Sequence, residues 1–405
     1  MSSHQVFSRG FFRDRDIDYE TRVILGRAAH GGSEIGEVLA TVDRIGGRVD
    51  WQREWTKTAD QARVAADSQR SRGDFSGAGR AYLRAANYWA CVVDAYAEGD
   101  DNDGLREVFR SHRACWDAFV DSFGDAHVRV DVPYEGITLP GYLLRPDATG
   151  VPRPTLVLTN GSDGPISAMW SSGAAGALAR GWNAFVYDGP GQQSMLFERG
   201  TSFRPDWEAV LTPVVDTLAA RPDVDAESLV AYGISQGGYW LPRALAYEHR
   251  FVAAVADPGV VDVSTSWTHP LGGSMRKLLD RGDREAFNRD MRMAEVLPGL
   301  RRTLNYRRRP YAARDDMFGL FREVRTYALD EETIGQITTP VMVTNPEDEQ
   351  FWPGQPEQLA KLLGGHGELV DFTAAEGANF HCQPLARQLT DERMFSWLSA
   401  KVAAR

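Results

Sequence analysis

Two stretches early in the chain carry apolar residues at helical spacing. In the first stretch, apolar residues recur at steps of three and four, which predicts a helix with one buried stripe. This stripe consists of Tyr82, Ala85, Ala86, Trp89, Val92, Val93 and Tyr96. The second stripe consists of Leu105, Val108, Phe109, Cys115, Trp116 and Phe119. Because strand signals are almost missing before residue 125, we predict a helical cap or docking domain over residues 1–125.

The pattern changes at about residue 126. Residues 127–132 and 137–144 alternate between apolar and polar or small side chains, which predicts a hairpin at a sheet edge. Short apolar runs follow at residues 155–158, 184–187, 229–232, 252–256 and 340–344. Buried strands that alternate with helices indicate a mostly parallel sheet with helices on both faces. We therefore predict an α/β catalytic domain over residues 126–405, with a helical insertion at about 260–335.

The composition is that of a folded protein with an acidic surface. The 405 residues are 43% hydrophobic and 25% charged, which excludes a wholly disordered chain. Lys and Arg number 45 against 56 Asp and Glu, a net charge of −11, which argues against nucleic acid and anionic membranes as partners. Three cysteines, and no apolar leader among the first residues, predict a cytoplasmic protein.

A candidate nucleophile follows the apolar run at residues 229–232. The sequence there is Gly233-Ile234-Ser235-Gln236-Gly237, and a helix-like stretch continues through Leu245. A Gly-x-Ser-x-Gly pentapeptide between a strand and a helix forms a strained turn that exposes the serine hydroxyl. The flanking glycines let the strand and the helix approach closely. We therefore expect Ser235 to act as a nucleophile.

A serine hydroxyl is a poor nucleophile at neutral pH and needs a histidine base, which in turn needs a carboxylate to orient it. The histidines downstream of Ser235 are His249, His269, His366 and His381. His381 lies after a strand-like stretch at residues 369–372 and before a C-terminal helical stretch. Since the base follows the nucleophile and the acid along the chain in this topology, we predict His381 as the base.

The acid is chosen from a loop after residues 341–344 that reads Glu347-Asp348-Glu349. Adjacent residues in a turn point in different directions, so one of the three carboxylates can face His381. The oxyanion formed during attack also needs two backbone N–H donors. Gln236 directly follows the nucleophile and is the first donor, and Ser162 or Asp163, in the loop after residues 155–158, is the second.

These motifs together resemble an α/β-hydrolase. The residues that carry the resemblance are the stretch from Gly73 to Tyr96, Asn160-Gly161-Ser162-Asp163-Gly164, Asp188-Gly189-Pro190-Gly191, the pentapeptide with Gly238, and Gly377-Ala378-Asn379-Phe380-His381-Cys382. The chain is similar to the branch with an N-terminal helical domain. That branch includes fermentation-respiration-switch-type esterases, 2,6-dihydroxypseudooxynicotine hydrolase and fungal polyketide-shortening hydrolases.

The resemblance bears on the acid. In many α/β-hydrolases a proline stands four residues after the acid, which favours Glu349 because Pro353 follows it. Asp348 is the close alternative. Asp257 is a third candidate, since the acid can migrate to the end of the preceding strand in this fold.

The resemblance implies a serine hydrolase that acts through an acyl-enzyme on a small carbonyl substrate. The bond cleaved is either an ester or an activated carbon–carbon bond next to a ketone, and the fungal relatives in this branch suggest a substrate from secondary metabolism. We expect neither a cofactor nor a metal ion, and a helical N-terminal domain is compatible with a homodimer. Three other functions stay open: a prolyl-oligopeptidase-type peptidase, an acyl-transferring cyclase, and a non-catalytic ligand-binding protein on the same scaffold.

The predicted insertion contains an aromatic set and a basic set of side chains, and the function of each set has two interpretations. Its aromatic and histidine side chains either form an acyl pocket or pack within the cap. They are Trp267, His269, Tyr306, Tyr311 and Phe318. The arginines of its basic run either bind an acidic substrate or form a solvated helix face. They are Arg301, Arg302, Arg307, Arg308 and Arg309.

Overall fold

In residues 10–404, which the computed structural model describes, eight strands form one sheet in the order β1-β2-β4-β3-β5-β6-β7-β8. The strands are β1 (His127–Tyr134), β2 (Ile137–Leu144), β3 (Arg153–Thr159), β4 (Asn183–Tyr187), β5 (Val224–Ile234), β6 (Ala253–Asp257), β7 (Val341–Pro346) and β8 (Gly367–Phe372). β2 is antiparallel to β1 and β4, and the other neighbouring pairs are parallel. The predicted edge hairpin and the mostly parallel sheet are confirmed.

Helices precede the sheet and connect its strands. Before β1 lie α1 (Arg15–Gly26), α2 (Ile35–Asp43), α3 (Arg48–Ser71), α4 (Phe75–Ala97) and α5 (Asn102–Asp121). Between β3 and β6 lie α6 (Ala175–Ala179), α7 (Gln193–Phe197), α8 (Glu208–Ala219) and α9 (Gly237–Leu245). The segment from β6 to β7 forms α10 (Thr265–Thr268), α11 (Gly273–Asp280), α12 (Arg284–Ala294), α13 (Pro298–Arg308), α14 (Met317–Val324) and α15 (Glu331–Gly335). The last two helices are α16 (Gln355–Leu363) and α17 (Arg387–Ala403).

Two aspartates begin the paired helices α4 and α5. The Asp74 carboxylate accepts a 2.8 Å hydrogen bond from the N–H of Gly77, and Asp101 accepts one of 2.9 Å from Gly104. Each aspartate satisfies an N–H group that a helix start leaves without a partner in the helix. The acidic stretch between the two helices therefore connects them, and its Asp101 caps the start of α5.

The sheet separates two apolar cores. Successive side chains of a strand point to opposite faces, and Val157 of β3 packs in one core while Leu156 and Leu158 pack in the other. Val157 shares its core with α8, α9 and the segment between β6 and β7. Leu156 and Leu158 share theirs with the N-terminal helices and α17. The N-terminal helices thus cover one face of the sheet directly.

Within residues 10–404, no helix combines the length and the apolar character that crossing a bilayer requires. In the same part of the chain, no group of three His, Cys, Asp or Glu side chains is placed to hold a metal ion. The first nine residues, which belong to the predicted helical domain and to the stretch searched for a leader, lie outside the described residues.

Candidate active site

Ser235 occupies the sharp turn between β5 and α9. Its backbone φ is 55°, in the left-handed region that costs a non-glycine residue about 1 kcal/mol. A Cβ atom at Gly233 would lie 2.3 Å from the carbonyl oxygen of Gly237. The strand and the helix approach this closely only because Gly233 has no side chain. The local sequence therefore imposes the turn that presents the Ser235 hydroxyl.

Three side chains from separate loops form a continuous hydrogen-bonded chain. His381 Nε2 lies 2.9 Å from Ser235 Oγ. On the other side of the ring, His381 Nδ1 lies 2.8 Å from Oε2 and 3.0 Å from Oε1 of Glu349. With the Nδ1 proton donated to Glu349, Nε2 is free to accept the proton of the Ser235 hydroxyl. The spacing is that of a nucleophile, a base and an orienting acid.

Glu349 and His381 are shielded from bulk water, with exposed fractions of 8% and 3%. Burial alone would raise the pKa of Glu349, but the charge on His381 and several hydrogen bonds hold that pKa below its ordinary value. Oε1 accepts from the backbone N–H of Phe351 at 2.9 Å and of Trp352 at 3.1 Å. Glu349 is therefore an anion held in one orientation against the imidazole.

The two other acid candidates bond elsewhere. Asp348 accepts a 2.5 Å hydrogen bond from the Asn379 side chain and lies at the surface. The buried Asp257 carboxylate binds four side chains behind the nucleophile turn. Its donors are Tyr232 at 2.5 Å, Thr344 at 2.6 Å, Gln383 at 2.9 Å and Arg387 at 3.3 Å. The structure thus brings Glu349, and neither Asp348 nor Asp257, to His381.

The remaining downstream histidines lie away from Ser235. His249, His269 and His366 are all exposed, and none of them lines the cavity that contains Ser235. The structure brings only His381 among these four into contact with the serine.

The loop after β3 passes directly over Ser235. A Cβ atom at Gly161 would lie 2.8 Å from the Ser235 Cβ, so a larger residue there would collide with the nucleophile. Ser162 and Asp163, which follow, line the same cavity as Ser235 and Gln236. The three candidate N–H donors for the oxyanion are therefore in the neighbourhood that the reaction requires.

Two consecutive glutamines hold this loop in place. The Gln192 side-chain amide donates to the carbonyl oxygens of Asn160 at 2.9 Å and Gly161 at 3.0 Å. The Gln193 amide donates to the carbonyl oxygen of Asp163 at 2.9 Å. Sequence reasoning pointed to the turn after β4 through Asp188-Gly189-Pro190-Gly191, but it missed the contacts of the two glutamines with the loop, which lies some thirty residues earlier in the chain. Their position next to Gly191 in the turn after β4 is the one signal that pointed to this region.

A cavity of about 1170 Å³ opens in front of Ser235 and His381. Its wall comes from the N-terminal helices, from the catalytic loops and from the segment between β6 and β7. Trp267, Tyr306 and Tyr311 of the predicted aromatic pocket line it. His269 is exposed instead, and Phe318 packs against the Phe287 ring at a centroid distance of 6.0 Å.

The acidic side of the cavity carries three carboxyls with raised pKa values. Burial, reinforced by the charge of Asp163, raises the pKa of Glu20 to about 7. Burial also raises the pKa of Asp94, with help from the charge of Glu20, and the pKa of Asp163 itself. Each carboxyl therefore holds its proton to a higher pH than it would in water.

Comparisons with known proteins place the chain among hydrolases. Hydrolase LUC6 of Fusarium sp is 31% identical over 428 residues, an alignment that covers 99% of both chains. The 20-hydroxy-prefusarin hydrolase FUS2 of Gibberella moniliformis is 35% identical over 273 residues, or 64% of this chain and 63% of that protein. The prolyl oligopeptidase family model matches residues 211–295, the segment that contains the nucleophile turn.

Solved structures share the fold at lower identity. The 2,6-dihydroxy-pseudo-oxynicotine hydrolase superposes with a TM-score of 0.73 at 18% identity, covering 94% of this chain and 96% of that one. AbyA5 superposes with a TM-score of 0.60 at 17% identity, covering 91% and 94%. The chain belongs to the α/β-hydrolase superfamily, as the motifs predicted. It is a hydrolase built on that scaffold, with relatives among fungal hydrolases.

Proposed function

We propose that this hydrolase works through an acyl-enzyme on Ser235. The observation that carries the proposal is the chain Glu349–His381–Ser235, with contacts of 2.8 Å and 2.9 Å. His381 Nε2 takes the hydroxyl proton while Ser235 Oγ bonds to a substrate carbonyl carbon. The bond to the leaving group then breaks, and His381 returns the proton to that group. In the second half of the reaction, His381 takes a proton from water while the water oxygen bonds to the carbonyl carbon of the acyl-enzyme. The bond to Ser235 Oγ then breaks, and His381 returns the proton to Ser235.

The substrate is a small molecule with a reactive carbonyl group. The cavity volume of about 1170 Å³ suits a ligand with several rings or a medium-length chain. Aromatic walls favour an apolar acyl or ketone portion. Both esters and activated carbon–carbon bonds next to a ketone fit this chemistry, because in each case attack on the carbonyl precedes departure of the leaving group.

The oxyanion is the second requirement of the mechanism. Gln236 lies at the N-terminal end of α9, and Ser162 and Asp163 lie in the loop held over Ser235. N–H groups from these two places, converging on one oxygen, would stabilise the negative charge that forms during attack. The Gln236 N–H also benefits from the partial positive charge at a helix start.

The test is intact-mass analysis after exposure to a fluorophosphonate. Wild type is expected to gain one adduct, Ser235→Ala none, and His381→Ala an adduct at a rate at least 100-fold lower. Ser172→Ala is the matched control, since Ser172 lines the same cavity without contacting His381. It should label at the wild-type rate. If folded wild type gains no adduct, or if Ser235→Ala labels equally, the proposal is wrong.

A comparison of substrates with different leaving groups then shows which kind of bond the enzyme cleaves. A series of aryl esters, a β-diketone and a prolyl peptide amide, each tested with wild type and Ser235→Ala, would rank the three bonds by kcat/KM. We expect turnover of the ester or the β-diketone, and an amide preference would instead support the peptidase alternative that the family match over residues 211–295 raises.

A further inference from the structure

The five arginines of the basic run have different environments, and three of them, Arg302, Arg307 and Arg309, line the cavity. Four are engaged by neighbouring groups. Arg301 pairs with Asp100 at 2.9 Å, Arg302 lies 3.9 Å from Glu98, Arg308 pairs with Glu295 at 3.1 Å, and Arg309 donates to the carbonyl oxygen of Gly99 at 2.7 Å. Three of these contacts, two from α13 and one from Arg309 directly after it, attach this helix to the connection between α4 and α5. The run is therefore divided: Arg301 and Arg302 are exposed, whereas Arg307, Arg308 and Arg309 are half-buried.

Arg307 is held without a carboxylate. Its Nη1 donates to the Ser266 carbonyl oxygen at 3.1 Å and its Nη2 to the Ser266 hydroxyl at 2.9 Å. The guanidinium carbon lies 4.2 Å from the ring centroid of Trp267. Among residues 10–404, no Asp or Glu oxygen lies within ion-pair distance of Arg307, while most arginines of the same helix have one. The side chain is thus fixed in direction by Ser266 and Trp267, and the carboxyl of Asp163 acts on its charge from beyond ion-pair distance.

The direction is into the substrate cavity. Arg307 and Trp267 line the same cavity as Ser235 and His381. A guanidinium has five N–H donors in a planar fork, and Ser266 occupies only part of them. The rest can bind the two oxygens of an anionic group in the geometry that arginine prefers. Stacking on Trp267 leaves the edge of the fork available for this contact.

We propose that Arg307 binds an anionic oxygen of the substrate, supplied by a carboxylate or by the enolate of an acidic dicarbonyl, while Ser235 attacks a carbonyl elsewhere in the same molecule. This inference rests on the proposed function and adds the substrate class. The acidic side of the cavity does not oppose it. Burial raises the pKa values of Glu20, Asp94 and Asp163, so at a given pH these carboxyls carry less negative charge than ordinary ones and repel an anion less.

The first experiment compares two esters that differ in one charge. The mono-4-nitrophenyl ester of glutarate and the 4-nitrophenyl ester of pentanoate have acyl chains of equal carbon number, but only the first ends in a carboxylate. We expect the ratio of their kcat/KM values, charged over neutral, to fall at least 10-fold in Arg307→Gln. Arg308→Gln, on the same helix but outside the cavity lining and paired with Glu295, should keep the wild-type ratio.

Arg307→Lys tests the same point with the charge retained. It should keep part of the preference for the charged ester, because an ammonium still attracts a carboxylate but cannot form the bidentate contact. This variant also decides the question if Arg307→Gln fails to fold. A charged-to-neutral ratio equal to that of Arg308→Gln, together with an unchanged KM for the glutarate ester, would overturn the proposal.

The second experiment distinguishes the two sources of the anion. Dimedone is an enolate at neutral pH, and cyclohexanone is its neutral counterpart. If the natural anion is an enolate, dimedone should inhibit hydrolysis of the pentanoate ester competitively in wild type and at least 10-fold less tightly in Arg307→Gln. Inhibition by glutarate alone, lost in the same way, would assign a carboxylate.

The two proposals fail separately. A fluorophosphonate adduct on wild type, with hydrolysis of the pentanoate ester but the same charged-to-neutral ratio in wild type and Arg307→Gln, overturns only the role of Arg307. An absent adduct on folded wild type overturns the acyl-enzyme mechanism.

Discussion

The hydroxyl of Tyr19 donates a 2.9 Å hydrogen bond to the backbone carbonyl oxygen of His381. Tyr19 belongs to α1, and the two residues are 362 positions apart in the chain. A Cβ atom at Gly26, at the end of the same helix, would lie 1.5 Å from the Pro384 carbonyl oxygen. The first helix therefore packs against the loop that carries the base, and the N-terminal helices are part of the site's support.

We expect Tyr19→Phe to lower kcat about three- to 10-fold, because the loop of His381 loses one of its anchors and the Nε2 atom samples more positions. The free energy of unfolding should change by about 1 kcal/mol, the usual worth of one hydrogen bond. Tyr82→Phe is the control, since its hydroxyl donates to Asp67 at 2.6 Å in the same helical region. Equal losses of kcat in the two variants would contradict a specific role for Tyr19.

If Glu349 is the acid, substitutions of Glu349 and of the neighbouring Asp348 should have very different effects on kcat/KM. Glu349→Gln should reduce kcat/KM by about 10³-fold or more, since an amide cannot stabilise the imidazolium and favours the wrong tautomer of His381. Asp348→Asn should change it less than about threefold, because the Asp348 side chain contacts Asn379 instead. Steady-state kinetics with an aryl ester measures both, and similar losses in the two variants would refute the assignment.

Gln192 is expected to act as a positioning residue for the oxyanion loop. Gln192→Ala removes the donor to the Asn160 and Gly161 carbonyl oxygens, which lets the loop shift away from Ser235. We expect kcat to fall about 10-fold with KM nearly constant, because the loss falls on the transition state. Binding of a boronic acid, which forms a tetrahedral adduct on serine, should weaken in parallel. Unchanged boronate affinity would indicate a purely structural role.

The Glu20 carboxyl predicts a pH dependence of stability. Its pKa is about 7 in the fold against 4.5 for an ordinary glutamate. Between these values the folded chain retains a proton that the unfolded chain has lost, so the contribution of Glu20 to the free energy of unfolding decreases as the pH rises through this window. Glu20→Gln should match wild type near pH 4 and exceed it by about 1 kcal/mol at pH 8.

Denaturant unfolding at several pH values measures this difference. Glu331→Gln is the control, because it removes one carboxyl at an exposed position at the start of α15, outside the cavity. A stability gain in Glu20→Gln that is the same at pH 4 and at pH 8 would show that the charge of Glu20 is not its cause.

The sequence by itself determined the order of strands and helices and the location of the nucleophile turn. The turn depends on residues that are close together in the chain. Gly233 permits the close approach of the strand and the helix, and Ser235 adopts the left-handed backbone conformation between them. The alternation of β1 and β2 and the buried runs of the parallel strands likewise follow from the period of each element. His381 was found by its place between β8 and α17, which the topology dictates.

Only the tertiary structure decided which side chains meet. The three consecutive carboxylates have the same chemistry, and only the resemblance, through Pro353, favoured Glu349 over Asp348. The bend of the loop after β7 is what turns Glu349 toward His381 and Asp348 toward Asn379. Tyr19 and Gln192 reach the site from distant parts of the chain, and no local pattern encodes such contacts. Arg307 differs from the adjacent Arg308 only in the direction of its side chain from α13, which places one in the cavity and the other on Glu295. Local steric rules act on neighbours in sequence, whereas a catalytic site depends on where separate loops converge.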